Sequence, residues 1–366
     1  MKTHKNLFNN IVSHDNLLLA VHKAQRHKRY KSAVSRFLFN MEANIAQLQT
    51  ELTTKTYSSG NYTVFYVHEP KKRLISASPF RDRVVHHALC NIMEPLFERS
   101  FIYDSYANRK GKGTHAAIER CQEFTRRYKY VLKCDIRKFF PSIDHSLLKQ
   151  EIRHKIACAK TLWLIDNIID HSNAQEEHIV YFEGDDLFTP HLRRRGLPIG
   201  NLTSQFWANV YLNRFDHFVK QTLHAPAYIR YVDDFVIFSN HKNQLQQFKH
   251  QISVFLAGLR LILHPNKTHI HKTDSGFPFL GFRIFPYFRH VLKANSKRYK
   301  RHLRRKIENY QAGMFSPTQL ESALNSWLGH IRFGQSKRLE YEVYWYIKEK
   351  EVTLYRHPSC SWRVLE

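Results

Sequence analysis

The stretch AYIRYVDDFVIFSN, residues 227–240, sets two adjacent acids, Asp233 and Asp234, inside a run of apolar and aromatic residues. An ionised carboxylate loses its hydration in such surroundings. The run reads as a hairpin: two apolar arms bent at Val232-Asp233-Asp234. Two acids at its tip call for a counter-charge. A divalent cation supplies one, since Mg²⁺ takes carboxylate oxygens and keeps waters or phosphates as its other ligands. KYVLKCDIRKFFPSID, residues 129–144, offers a third carboxylate, because its short apolar strand ends at Asp135. Two ions bridged by three such acids stabilise both the attacking and the leaving oxygen of an in-line phosphoryl transfer. The bland alternative is a solvated Asp-Asp turn. The continuous apolar flanks and the second strand ending in Asp135 speak against it.

Composition points the same way. The 366 residues suffice for two or three compact units, and 43% of them are apolar. Lys and Arg number 57 against 31 acids, a net charge of +26. Nucleic acid is the usual partner of such a surface, because each phosphate contact releases counterions. The five cysteines are odd in number and form no C-x-x-C pair, which fits a reducing compartment without structural zinc. The 24 histidines are scattered, and neither His86-His87 nor His269-x-His271 has further ligands at metal spacing. The N-terminus lacks a long apolar segment, so a soluble, cytoplasmic protein without membrane contact is expected.

Along the chain, residues 1–55 read as basic helices, with apolar positions three and four apart. A strand, a turn at Glu69-Pro70-Lys71-Lys72 and a second strand follow, then a helix from residue 81. Pro141 is expected to stop the strand that carries Asp135, and Asp144 to cap the next helix. Residues 171–195 read as a surface loop or hairpin, GNLTSQFWANVYLNRFDHFVKQTL as a long amphipathic helix, and FPFLGFRIF as a strand pair. From Asn295 on, the chain reads as basic helices. This order implies an α+β fold with an antiparallel sheet.

The motifs resemble those of a known family. YVDDF resembles motif C of reverse transcriptases, whose hallmark is Tyr-x-Asp-Asp, and VLKCDIRKFFPSIDH resembles motif A. RLISASPFRDRVVHHAL and SYANRKGKGTHAAI resemble the fingers motifs, GLPIGNLTSQFWANVYLN motif B, LHPNKTHI motif D and FPFLGF motif E, in order over residues 60–290. The resemblance implies a right-hand polymerase fold and an RNA-directed DNA polymerase. Its domains would be an N-terminal extension (1–55), fingers with part of the palm (56–128), palm (129–290) and a helical basic thumb (291–366). It implies a metal set of Asp135, Ile136, Asp233 and Asp234 for two Mg²⁺, with Mn²⁺ as a substitute, and Lys267 beside the pyrophosphate. Lys72, Arg73, Arg81, Arg83, Phe140, Ile199 and Gly200 would meet the incoming dNTP. Arg109, Lys110, Lys112, Gln205, Tyr231, Lys297, Arg301, Arg304 and Arg305 would meet template RNA and primer or cDNA.

Two positions narrow the resemblance. Phe140, five residues after Asp135, would lie under the sugar and exclude a 2′-hydroxyl; the other reading is a core aromatic beside Phe139. In motif B, Ile199 stands where most reverse transcriptases carry Gln, and Gln205 where they carry Pro. That form is similar to reverse transcriptases of diversity-generating retroelements, which copy a template-repeat RNA with errors at adenines. Ile offers no hydrogen bond to the nascent pair, a contact worth about 0.5–1.5 kcal/mol; the other reading has Ile199 packing the palm. The subfamily implies a small basic pentameric accessory protein as partner, and the thumb is expected to leave no room for a nuclease segment. Nine Lys and Arg without an acid over residues 289–306 fit nucleic-acid contact, as against a solvated face. Two alternatives stay open: a reverse transcriptase of a defence or group II intron-like element, and an inactive RNA-binding protein of polymerase fold.

Overall fold

The computed structural model describes residues 3–68, 71–173, 179–350, 352, 354–356 and 362–364. Glu69 and Pro70 of the expected turn, and Cys360, lie outside them. Nine of the described strands are β1 (Thr63–Val67), β2 (Arg73–Ala77), β3 (Tyr130–Asp135), β4 (Ala227–Tyr231), β5 (Asp234–Ser239), β6 (His269–Lys272), β7 (Phe277–Phe279), β8 (Phe282–Ile284) and β9 (Arg289–Val291). β1 and β2 pair antiparallel, β7, β8 and β9 form an antiparallel meander, and a four-stranded sheet runs β4-β5-β3-β6. With the helices between them, the strands make the α+β fold expected from the order of segments. None of the described helices is long and apolar enough to cross a membrane.

The described chain forms two compact units. One comprises Met1–Gly113, Lys133–Val236 and Gln246–His269; the other comprises Thr114–Leu132, Ile237–Leu245 and Ile270–Glu366. In the first, four N-terminal helices lie between Phe8 and Thr53. Ser13 caps His14–Ala24 through the Asn16 amide. That helix packs on Phe80–Glu98, where buried Asn16 donates to the carbonyls of Ile11 and Ala88. The Leu202–His217 helix differs from expectation. It is buried on nearly every side, from Phe206 and Trp207 to Asn209, Phe215 and Asp216, rather than amphipathic. It packs against both Phe80–Glu98 and His145–Arg153, and a helix covered on several faces has no polar stripe to show.

β3 ends at Asp135 without help from proline. Pro141 instead sits in the helical turn Phe139–Ser142 that follows. Asp144 does cap His145–Arg153, accepting from the Leu147 amide at 3.0 Å. The loop expected over residues 171–195 carries one short helix among its described residues, Thr189–Leu192.

In the second unit, the strand pair gains a third member, β9. Leu280 and Gly281 join β7 to β8 with φ of +44° and +91°, the paired positive values of a tight hairpin turn. The basic C-terminal region folds as helices Lys293–Gln311, Pro317–Phe333 and Lys337–Glu349 around Leu303, Ile307, Leu320, Leu324, Ile331, Val343 and Ile347. Ser316 and Gln319 close a reciprocal capping box on the second of these.

Candidate active site

Val232 and Asp233 form the turn between β4 and β5, and Asp234 opens β5. Val232 has φ of +56°, a left-handed conformation that a β-branched residue rarely accepts. The end of β3 comes to this turn because the Ile136 amide donates to the Asp233 carbonyl at 3.1 Å. Three acids from two chain segments thus meet at one end of the sheet. The segment bearing Lys267 is fixed to the same place: the Arg137 amide donates to Ile262, and the His264 amide donates to the Asp135 carbonyl at 2.7 Å.

Two lysines answer the acids. Lys267 Nζ donates to Asp135 Oδ1 at 2.7 Å, and Lys133 Nζ stands 3.3 Å from Asp234 Oδ1. That Asp234 oxygen is buried and accepts no hydrogen bond. Burial pushes the Asp234 carboxyl up to about 6; Lys133 opposes the shift, while Asp233 and Asp135 add to it. Burial also raises Asp233, followed by the charge of Asp135, against Lys267 and Arg73. Among the described residues no three His, Cys, Asp or Glu side chains converge at metal-ligand spacing; Asp135 pairs with Lys267 and Asp234 with Lys133. The donor set is oxygen only, and burial with the mutual repulsion of the carboxylates outweighs what Lys133, Lys267 and Arg73 offset. It suits a hard divalent cation.

The family described as reverse transcriptase (RNA-dependent DNA polymerase) matches residues 67–284, which take in all three acids and Lys267. The chain belongs to the reverse transcriptase family. It is similar to Protein YkfC of Escherichia coli (strain K12), 28% identical over 254 residues that cover 58% of this chain and 63% of that protein. The group II intron-encoded protein LtrA of Lactococcus lactis subsp. cremoris is 22% identical over 333 residues, 73% of this chain and 54% of that protein. The putative COX1/OXI3 intron 1 protein of Saccharomyces cerevisiae is 21% identical over 293 residues, covering 65% and 34%. The chain spans less than two thirds of the length of each of these relatives.

The other residues singled out in this reverse transcriptase chain fall into two groups. Arg73 on β2 is exposed, and its charge reaches Asp233. Lys72 is exposed, with its ammonium 4.3 Å over the Tyr66 ring. Phe140 is half-buried, edge-on to Phe139, and its carbonyl accepts from the Leu197 amide. The Ile199 carbonyl accepts from the Ser76 amide of β2 at 3.0 Å. Gly200 follows with φ of +119°, where an added Cβ would stand 3.2 Å from Ile75 Cγ2. Gln205 and Lys110 are exposed, and Tyr231 is half-buried at the end of β4.

Arg81, Arg83 and Arg109 spend their guanidinium groups on the protein itself. Arg81 pairs with Glu51 of the N-terminal helices and donates to the Ser58 carbonyl. Arg83 donates to the Ser78 carbonyl at 2.8 Å, and burial lowers its pKa. Arg109, expected to face phosphate, has a side chain only 6% exposed and binds Glu98 and the carbonyls of Ile102 and Ser105. Lys112 donates to the Tyr103 carbonyl and lies over that ring. In the second unit, Lys297, Arg301, Arg304 and Arg305 are exposed on the helix that buries Leu303 and Ile307, and Arg304 lies 3.7 Å from Glu308.

Sequence reasoning passed over Lys133 and Asn201. Lys133 alternates with buried Leu132 and Cys134, so strand period places it on the side of Asp234. Asn201 Oδ1 accepts from the Ser78 hydroxyl at 3.0 Å and holds the 199–201 loop along β2. Only the fold brings these two segments together.

Proposed function

We propose that this chain is an RNA-directed DNA polymerase. The meeting of Asp135, Asp233 and Asp234 at one end of the sheet, inside the family-matched span, carries the reading. Asp135, Asp233 and Asp234, with Ile136 beside them, would hold Mg²⁺ or Mn²⁺, which supplies charge neutralisation at the α-phosphate and acidifies the primer 3′-hydroxyl. Arg73 and Lys72 are exposed towards solvent, where a triphosphate would find them. The Lys267 ammonium, which donates to Asp135, would exchange that carboxylate for the departing pyrophosphate. Phe140 would exclude the 2′-hydroxyl of a ribonucleotide. On this reading residues 56–128 are the fingers with part of the palm, 129–290 the palm and 291–366 the thumb. Primer extension on an RNA template tests it. Asp233→Ala should lower kcat by about a thousandfold or more, the loss of several kcal/mol of transition-state stabilisation. Full activity in the variant, or none in the wild type, rejects the assignment.

The finer reading is a diversity-generating retroelement enzyme working in the cytoplasm with a small basic pentameric partner. Ile199 supports it. Its carbonyl accepts from the Ser76 amide, and its apolar side chain would stand where a glutamine would offer hydrogen bonds. Ile199→Gln should cut errors at template adenines by up to about tenfold, the worth of one hydrogen bond. An unchanged error spectrum removes the support. A second reading, a group II intron-like enzyme, is favoured by the intron-encoded relatives and predicts no adenine bias in the wild type.

A further inference from the structure

Arg230 lies three residues before Asp233 on β4, and none of its surface is exposed. Its guanidinium meets the equally buried Asp216 through two bonds, Nε to Oδ1 at 2.7 Å and Nη2 to Oδ2 at 2.6 Å. The Tyr228 hydroxyl adds a third bond to Asp216 Oδ1 at 2.7 Å. Such a fork matches a planar guanidinium to a carboxylate and leaves one nitrogen to spare. That nitrogen, Nη1, donates to Asn209 Oδ1 and to the Val232 carbonyl, both at 3.2 Å. Asn209 is itself fixed by its bond to the Ala107 carbonyl at 2.8 Å. The Arg230 backbone is held as well: its amide donates to Asp104 and its carbonyl accepts from Tyr106, both at 3.0 Å.

Val232 is the strained residue of the acidic turn, with φ of +56°. A β-branched residue stays in that region only where its surroundings over-determine it. A buried ion pair adds little stability over an apolar core of the same volume, but here its two bonds hold the guanidinium whose third nitrogen meets the Val232 carbonyl. We propose that Arg230 is a positioning residue: clamped by Asp216, it holds the Val232 carbonyl and thereby aims Asp233 and Asp234. The inference rests on the polymerase reading, and Arg230 touches no substrate. Lysine cannot replace it, because a point-charge ammonium cannot fork Asp216 and reach Val232 together.

The test uses the full chain with Arg230→Lys, alone and combined with Val232→Gly. Arg230→Lys should lower kcat for single-nucleotide incorporation by about tenfold or more, with dNTP KM and template–primer affinity within about twofold. Amides 231–236 should exchange hydrogen about tenfold faster, while those of Phe80–Glu98 keep their rates. Glycine adopts positive φ unaided, so adding Val232→Gly should raise kcat about threefold or more above Arg230→Lys alone. A purely structural role would show no such rescue. If Arg230→Lys does not fold, Arg230→Gln with Asp216→Asn removes both charges together, leaves no unpaired buried ion, and should show the same local losses. Unchanged kcat and exchange in a folded variant overturns the proposal, as does a kcat loss that glycine leaves unrelieved. A wild type that incorporates nothing tells against the polymerase reading, and the exchange measurement then decides the positioning role by itself.

Discussion

The acids of the first unit sit at a strained turn, half-buried, with Lys267 on Asp135, Lys133 near Asp234 and the Arg230–Asp216 pair beneath. Lys297, Arg301, Arg304 and Arg305 of the second unit stand exposed on a helix that buries Leu303 and Ile307. In the first place every charge has a geometric reason, and removing one partner strands another. In the second the cations are exposed to solvent, which screens each of them. A buried carboxylate works through position, while an exposed cation works through number and responds to salt.

Three experiments break or sharpen that contrast. The largest effect should come from Asp216→Ala, which leaves Arg230 buried without its counter-ion. It should cost about 3–5 kcal/mol in denaturant unfolding. A loss below about 1 kcal/mol would mean that solvent reaches the pair, and would erase the distinction. Next comes replacement of Lys297, Arg301, Arg304 and Arg305 by Gln. If all four meet phosphates, the slope of log affinity on log salt should fall by about 3, so the wild type loses some fifty- to a hundredfold more affinity than the variant over a fourfold salt increase. Melting should shift little, as for surface substitutions generally. An unchanged salt slope would make this face merely solvated.

The smallest effect concerns pH. Burial, reinforced by the charges of His87 and Arg83, pushes the His86 imidazole down to about 3 from an ordinary 6.5. Below 6.5 the unfolded chain therefore binds a proton that the folded chain refuses. This share of the stability is complete above pH 6.5 and is lost towards pH 3, by about 1.4 kcal/mol per pH unit. His86→Leu should flatten the acid limb by one proton, read from denaturant midpoints between pH 6.5 and 5. An equal slope in both proteins would assign the limb to other groups.

Much of the site was legible in the chain itself. Asp233 and Asp234 announced themselves by contrast with Ile229, Phe235 and Val236, and Asp135 by ending a strand of Val131, Leu132 and Cys134, all of them buried. The capping role of Asp144 was legible because capping is local. The partners of Arg81, Arg83 and Arg109 within the protein were not. A cation in such a motif reads alike with or without an internal partner, and Glu51, Ser78 and Glu98 come within reach only once the chain has folded. The burial of the Leu202–His217 helix was hidden for a related reason, because Asn209 and Asp216 read as solvent positions until Ala107 and Arg230 supply their partners.

By itself, then, the sequence determined the kinds of groups and their local frames: an acidic hairpin tip, a capped helix after Asp135, a basic C-terminal helix. These follow from periodicity, capping and the cost of burying an unpaired charge, all of which act over a few residues. Only the tertiary structure decided which charges meet. Asp216 and Arg230 are fourteen residues apart, and Lys267 and Asp135 are separated by 132. Hydrogen bonds need approach within about 3 Å, and pattern alone does not bring distant residues that close.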